Sequence, residues 1–174
     1  MTNILMESSF GVRCEYTLIR RKASTMEEVE RVGPFRNMIV SAGLDHLLSG
    51  SAGNFAISVG SGNSPPQMSN TVIQSFIAAT TTSTPGIAVN EFQTLTPPIY
   101  YRKRLGGRFG EGVAAGNVAE VAWLLHQSGS PGASTPVFSR ALVRDANGNP
   151  TVITVLSDEF LDVIIDYYIY PQSE

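Results

Sequence analysis

The chain has 174 residues, with 12 Lys+Arg against 15 Asp+Glu and two His, and only 16% of it is charged, against roughly a quarter in an ordinary globular domain. A net charge of −3 argues against a dedicated nucleic-acid binder, which needs a basic face, and a single cysteine, Cys14, excludes an internal disulfide. No apolar run approaches the ~20 residues of a membrane-spanning helix, so the partners expected are neither nucleic acid nor membrane.

The opening MTNILMESSF has no basic start and no long apolar run, so no signal peptide is expected. From Val12 to Ile19 the chain alternates. Val12, Cys14, Tyr16 and Leu18 share one face and Arg13, Glu15 and Thr17 the other, which predicts a half-buried strand. Cys14 on the apolar face reads as a small buried hydrophobe. STMEEVER, Ser24 to Arg31, suits a short capped helix or a long hairpin connection. Residues 1–34 are thus an N-terminal strand with a polar connection, and 35–174 the main body of a single domain.

Met38 to Val40 is expected to close a strand, and Ala42 to Leu48 to form a short helix weakened by Gly43. FAISVG, Phe55 to Gly60, reads as a buried strand with Phe55, Ile57 and Val59 on one face, followed by the turn-rich GSGNSPP. In NTVIQSFIA, Val72 with Phe76 and Ile73 with Ile77 stand four apart, which predicts a second short helix. From Glu91 onward the pattern is β throughout. IYYRKRLG, VAEVAWLL, FSRALVRD, PTVITVL and LDVIIDYYIY are short runs with turn residues between them. With seven or eight strands, no βαβ rhythm and no internal repeat, the fold class is mainly β: an antiparallel β-sandwich with one or two short helices.

Candidate chemistry is sparse. Asp145, Asn147 and Asn149 open like a calcium loop, but Pro150 stands where that loop needs glycine and Leu156 where it needs a bidentate carboxylate. Asn147-Gly148 is instead read as the type I′ bend of a hairpin. GSGNSPP lacks the glycine spacing of a dinucleotide fingerprint and the Gly-Lys-Ser/Thr of a P-loop, and Pro65-Pro66 stand where a helix start would supply amides. GGRFGEG, Gly106 to Gly112, is likewise a turn by composition. His46 and His126 have no serine in a nucleophile elbow to serve. Asp162 and Asp166 share a strand face that reads as solvated. Neither catalysis nor a cofactor or metal is expected.

The tyrosines carry more information. Leu161, Val163, Ile165, Tyr167 and Ile169 make one face of the last strand. Asp162, Ile164, Asp166, Tyr168 and Tyr170 make the other, which turns aromatic toward its end, as suits an interface or packing under a loop. Arg20-Arg21-Lys22 and Arg102-Lys103-Arg104 are short basic runs of the kind found on strand ends and exposed strands. Tyr100, Tyr101, Arg102, Lys103, Arg104, Tyr168 and Tyr170, with Glu27 and Glu28 of the polar segment, are the candidate interface residues.

Several phrases together resemble a known family. FRNMIVSAGLDHLLSG resembles an NLI-x-x-x-GLD opening, and FAISVGSGNSPPQMSNT a VGSGNTAP-x-x-x-DT segment. YYRKRLGGRFGEGVAAGNVAEV and FSRALVRDANGNPTVITVLSDEFLDV follow in the same order. The pattern, from about Phe35 to Tyr170, is similar to small virion structural proteins of tailed bacteriophages, tail and tail-fibre-associated components. The resemblance implies a structural part of the tail, collar or baseplate region, assembled in the host bacterial cytoplasm and located in the virion. It implies homo-oligomerisation and attachment to other virion proteins, with no catalytic residues. The alternative is a carbohydrate- or host-surface-binding module of a tail fibre, with exposed tyrosines or Trp123 stacking on a host glycan.

Overall fold

The computed structural model describes residues 10–49 and 56–171. The strands are β1 (Phe10–Lys22), β2 (Glu28–Arg36), β3 (Met38–Ile39), β4 (Ile57–Gly60), β5 (Phe76–Thr80), β6 (Val89–Gln93), β7 (Tyr100–Phe109), β8 (Gly116–Val118), β9 (Glu120–Leu124), β10 (Val137–Leu142), β11 (Ile153–Val155) and β12 (Glu159–Pro171). One helix, α1 (Ser41–Ser49), follows β3. Sheet A has the order β2-β1-β12-β7-β6, sheet B the order β3-β10-β9-β4-β5, and β11 pairs with β8. The strand pairings are antiparallel.

The two sheets form a β-sandwich around a core drawn from their facing sides. Cys14, Tyr16 and Leu18 of β1 and Val163, Ile165 and Tyr167 of β12 meet Ile57, Val59, Val121 and Ala141 of sheet B. Period-2 alternation does this: one face of each strand carries the apolar set. Tyr16 adds a polar tie across the layers. Its buried hydroxyl lies 2.8 Å from Ser139 Oγ and accepts the Trp123 backbone N–H at 2.8 Å.

Both sheets are also covered on the outside. The chain leaves β5 in sheet B, bridges Ser83 to Gly107 and then forms β6, so one continuous segment stitches the sandwich edge. Thr84 and Ile87 lie over Gly106, where an added Cβ would sit 2.8 Å from Ile87 Cγ2. Ile164, directly opposite Gly106, is buried, as are Glu15, Thr17 and Ile19 on the same face. β1 is therefore covered on both faces over its middle, not half-buried. On sheet B, residues 61–75 and α1 cover a second cluster of Val40, Ala56, Ile73, Ala122, Leu124 and Val137.

The predicted strands from Tyr100 onward, the α1 helix and the N-terminal strand stand where expected. Phe55 and residues 1–9 of the segment read for a signal peptide lie outside the described residues. The predicted helix over Val72 to Ile77 is not formed; the chain is irregular up to Ser75 and then enters β5. The physical reason is local: the Gln74 and Ser75 N–H groups donate to the Glu120 carboxylate instead of to helical carbonyls. Gly106 to Phe109 belong to β7, not to a turn, and Glu28 to Arg31 of the presumed connection belong to β2. The Asn147-Gly148 bend is real, but it is not type I′. Gly148 has φ +82°, whereas Met26 is the one non-glycine residue with positive φ among the described residues. Asp145 organises the bend, accepting N–H bonds from Asn147 and Asn149 on Oδ1, both at 2.9 Å.

Candidate interaction surface

The outer face of sheet A is a ladder of paired charges, not a solvated face. Register places Arg108 opposite Asp162 and Arg104 opposite Asp166. Arg108 donates to both Asp162 oxygens at 2.6 and 2.7 Å, and Arg21 adds a bond at 3.1 Å from β1. Arg104 holds Asp166 at 2.8 and 2.7 Å, with Arg102 at 2.8 Å. Both aspartates are buried. Burial pushes the Asp166 carboxyl up, but Arg104 and Arg102 outweigh it and hold the group below the usual carboxylate range. Arg102 and Arg104, read as contact residues, are thus committed to internal pairs.

Strand alternation divides the rest of the candidate set. Tyr100, Tyr168 and Tyr170 gather at one end of the outer face, with Tyr100 at 5.5 Å from Tyr168 and 6.1 Å from Tyr170. Tyr168 lies between the guanidinium groups of Arg13 and Arg102, at 5.4 and 5.7 Å from its ring centre. Tyr101 and Lys103 fall on the opposite face of β7. There Tyr101 packs on Phe92 at 4.7 Å and its hydroxyl donates to Asn90. Glu27 and Glu28 sit at the other end of the sheet, where the Lys22 N–H donates to the Glu27 carbonyl and Glu28 pairs with Arg21 and Arg31. With Lys22 opposite Glu159 and Gly11 opposite Tyr170, the length of β12 separates them from the tyrosines by about 36 Å. The candidate residues form no single patch.

The feature that was not anticipated is β6, the open edge of sheet A. Phe92 is 71% exposed, Val89 41%, and Leu95 in the following turn 92%. The polar side chains of this segment turn back on the protein. Glu91 pairs with Arg102 at 3.1 Å and accepts the Tyr100 hydroxyl at 3.0 Å. Asn90 accepts from Tyr101, and Gln93 donates to Thr96. What faces outward is apolar side chain and unpaired backbone, the combination that templates another strand. The other edge of sheet A is defended: β2 carries Pro34, which has no N–H to offer, and exposed Glu28, Arg31 and Arg36. In sheet B, β3 is two residues long, and β5 has no exposed large apolar side chain.

Two other places hold clustered polar groups. Residues 61–75, which include all of GSGNSPP but its first glycine, form a strap over sheet B around a buried ion pair. Arg140 Nε donates to Glu120 at 2.7 Å, while Glu120 also accepts the N–H groups of Gly62, Gln74 and Ser75. Arg140 further holds Asn70 Oδ1 and the Ser64 carbonyl. The Gly62 amide of the GSGNSPP loop is thus spent on an internal carboxylate. His46 and His126 do line one open depression of about 510 Å³, with Ser128, Ser130 and Ser134, and among the described residues no carboxylate lines it. Among the described residues no group of three or more His, Cys, Asp or Glu is placed to hold a metal, and no helix is long and apolar enough to cross a membrane.

No protein-family model matches the chain, and comparison with curated proteins and with solved structures finds no significant match. Fold and surface therefore define the class: a mainly β, antiparallel sandwich with one undefended, apolar sheet edge.

Proposed function

We propose that the protein is a structural component of a bacteriophage virion, in the tail, collar or baseplate region, acting by self-association and by attachment of neighbouring virion proteins. The observation that carries this reading is the β6 edge, where Val89, Phe92 and Leu95 stand exposed on a chain with only 16% charge. Such an edge is a liability in a monomer and an asset in an assembly. The ordered resemblance from Phe35 to Tyr170 supports the phage assignment. The ion-pair ladder and the Glu120–Arg140 strap support a rigid part whose polar groups serve the fold, and the mechanism is burial of complementary surface without bond chemistry.

The sugar-binding alternative has less to stand on. Trp123 packs against Phe138 at 4.5 Å and Tyr167 at 6.0 Å, so its ring is not a free platform. The Tyr100, Tyr168 and Tyr170 rings are half-buried against one another. Quantitative mass spectrometry of purified virions tests the proposal. It predicts the chain at several copies per particle, and its absence from particles refutes the assignment.

A further inference from the structure

We infer that two copies of this chain pair edge to edge through β6, antiparallel about a two-fold axis at Phe92, so that sheet A runs on without a break into sheet A of the second copy. The inference rests on the self-association reading and specifies its contact.

An isologous antiparallel strand pair sets residue Phe92+n of one copy against Phe92−n of the other. The pairing segment must then be a palindrome in chemical character, and Val89–Leu95, VNEFQTL, is one about Phe92; β6 ends at Gln93, so the pairing extends the strand through Thr94 and Leu95. Phe92 faces Phe92 of the second copy. Glu91 faces Gln93, an acceptor against an amide donor. Asn90 faces Thr94, polar against polar. Val89 faces Leu95, joining the remaining two exposed apolar groups. All three exposed large apolar side chains of the segment, Val89, Phe92 and Leu95, are thereby covered in one register. A register centred one residue earlier, on Glu91, opposes two glutamates and sets Asn90 against Phe92. Charge does not oppose the Phe92-centred pairing, because Glu91 is already neutralised by Arg102 on its own copy. The second copy is the occupant favoured over an unrelated strand because only a copy must supply this palindrome. A segment this short places the contact at the small end of specific interfaces, so the dimer is concentration-dependent.

Sedimentation velocity of the full chain across a dilution series, with cysteine cross-linking, tests this. Wild type is expected to dimerise, and Phe92→Asp to weaken the dimer roughly tenfold or more, as loss of a central aromatic anchor does. Leu48→Asp, an exposed change on α1, is expected to leave it unchanged. Under oxidation Phe92→Cys is expected to form an interchain disulfide. Asn90→Cys is not, because the two cysteines would lie about 13 Å apart along the pair. Buried Cys14 does not compete. Each variant is first shown to keep the wild-type circular dichroism and melting profile. An oligomer indifferent to Phe92→Asp, or one in which Asn90→Cys cross-links as well as Phe92→Cys, overturns this pairing and leaves self-association standing. A monomer at every concentration overturns both.

Discussion

Replacing Arg140 by Met removes the guanidinium at the centre of the sheet B strap while keeping most of its packing. Glu120 and Arg140 are both almost fully buried, and the carboxylate accepts one bond from Arg140 and three from backbone amides. The substitution leaves the three amides in place and strands a buried carboxylate without its counter-charge. Breaking a buried pair from one side costs ~3–5 kcal/mol. The surviving amide bonds place this case at the lower end, about 3 kcal/mol. For a domain of this size that corresponds to a fall in Tm of about 6–12 °C. Differential scanning calorimetry measures the shift, and hydrogen exchange localises it. The amides of Gly62, Gln74 and Ser75 should exchange faster in the variant, while those of β12 keep their protection relative to global stability. The double change Glu120→Met with Arg140→Met removes the stranded charge and should melt higher than Arg140→Met alone. An Arg140→Met variant that melts within a degree of wild type, or whose strap amides exchange no faster, refutes the view that this pair holds the strap.

Three further outcomes follow from the same geometry. Gly43→Ala should cost ~2–3 kcal/mol in chemical denaturation, because its Cβ would lie 2.1 Å from the Phe138 carbonyl oxygen and force α1 off β10. Asp166→Asn should lower stability by about 1–2 kcal/mol at pH 7. The folded carboxyl is depressed, so its contribution is present above the unfolded value near 3.9 and is lost as pH falls through the lower folded value. Melting curves of wild type and variant should therefore converge as pH falls through the depressed folded value. Cys14, whose thiol burial pushes up to about 12, should resist aromatic disulfide reagents in the native state at pH 8 and react at once in denaturant, as followed by absorbance.

The parts of the fold legible in the sequence are those whose side chains report their own burial. β1, β9, β10 and β12 alternate or run apolar, and the α1 segment has helical spacing, so each was recognisable from local pattern. β3, β8 and β11 have two or three residues, too few for any period. The Asp162 and Asp166 rows were misread because a carboxylate on a strand looks solvated until its partner is known. Arg104 and Arg108 meet them through register between β7 and β12, more than fifty residues apart in the chain. The same long-range pairing took Arg102 and Arg104 out of the candidate interface. Val72 to Ile77 mimicked a helix because spacing four was the local signal, while Glu120, distant in sequence, claimed the amides. β6 falls where the sequence reads as β from Glu91 onward, but its apolar edge was not singled out. Asn90, Glu91 and Gln93 make VNEFQ look polar, yet those side chains bond back to β7 and its turn. The signal available was the palindrome about Phe92, together with the paired Pro97-Pro98 that ends the segment.

The most direct test of the central claim is a density map of the intact virion at a resolution that traces strands. The account predicts several copies of this sandwich in the tail, collar or baseplate region, touching one another, with β6 buried in a contact. A map in which the chain is absent, or present only as isolated copies with β6 facing solvent, contradicts it.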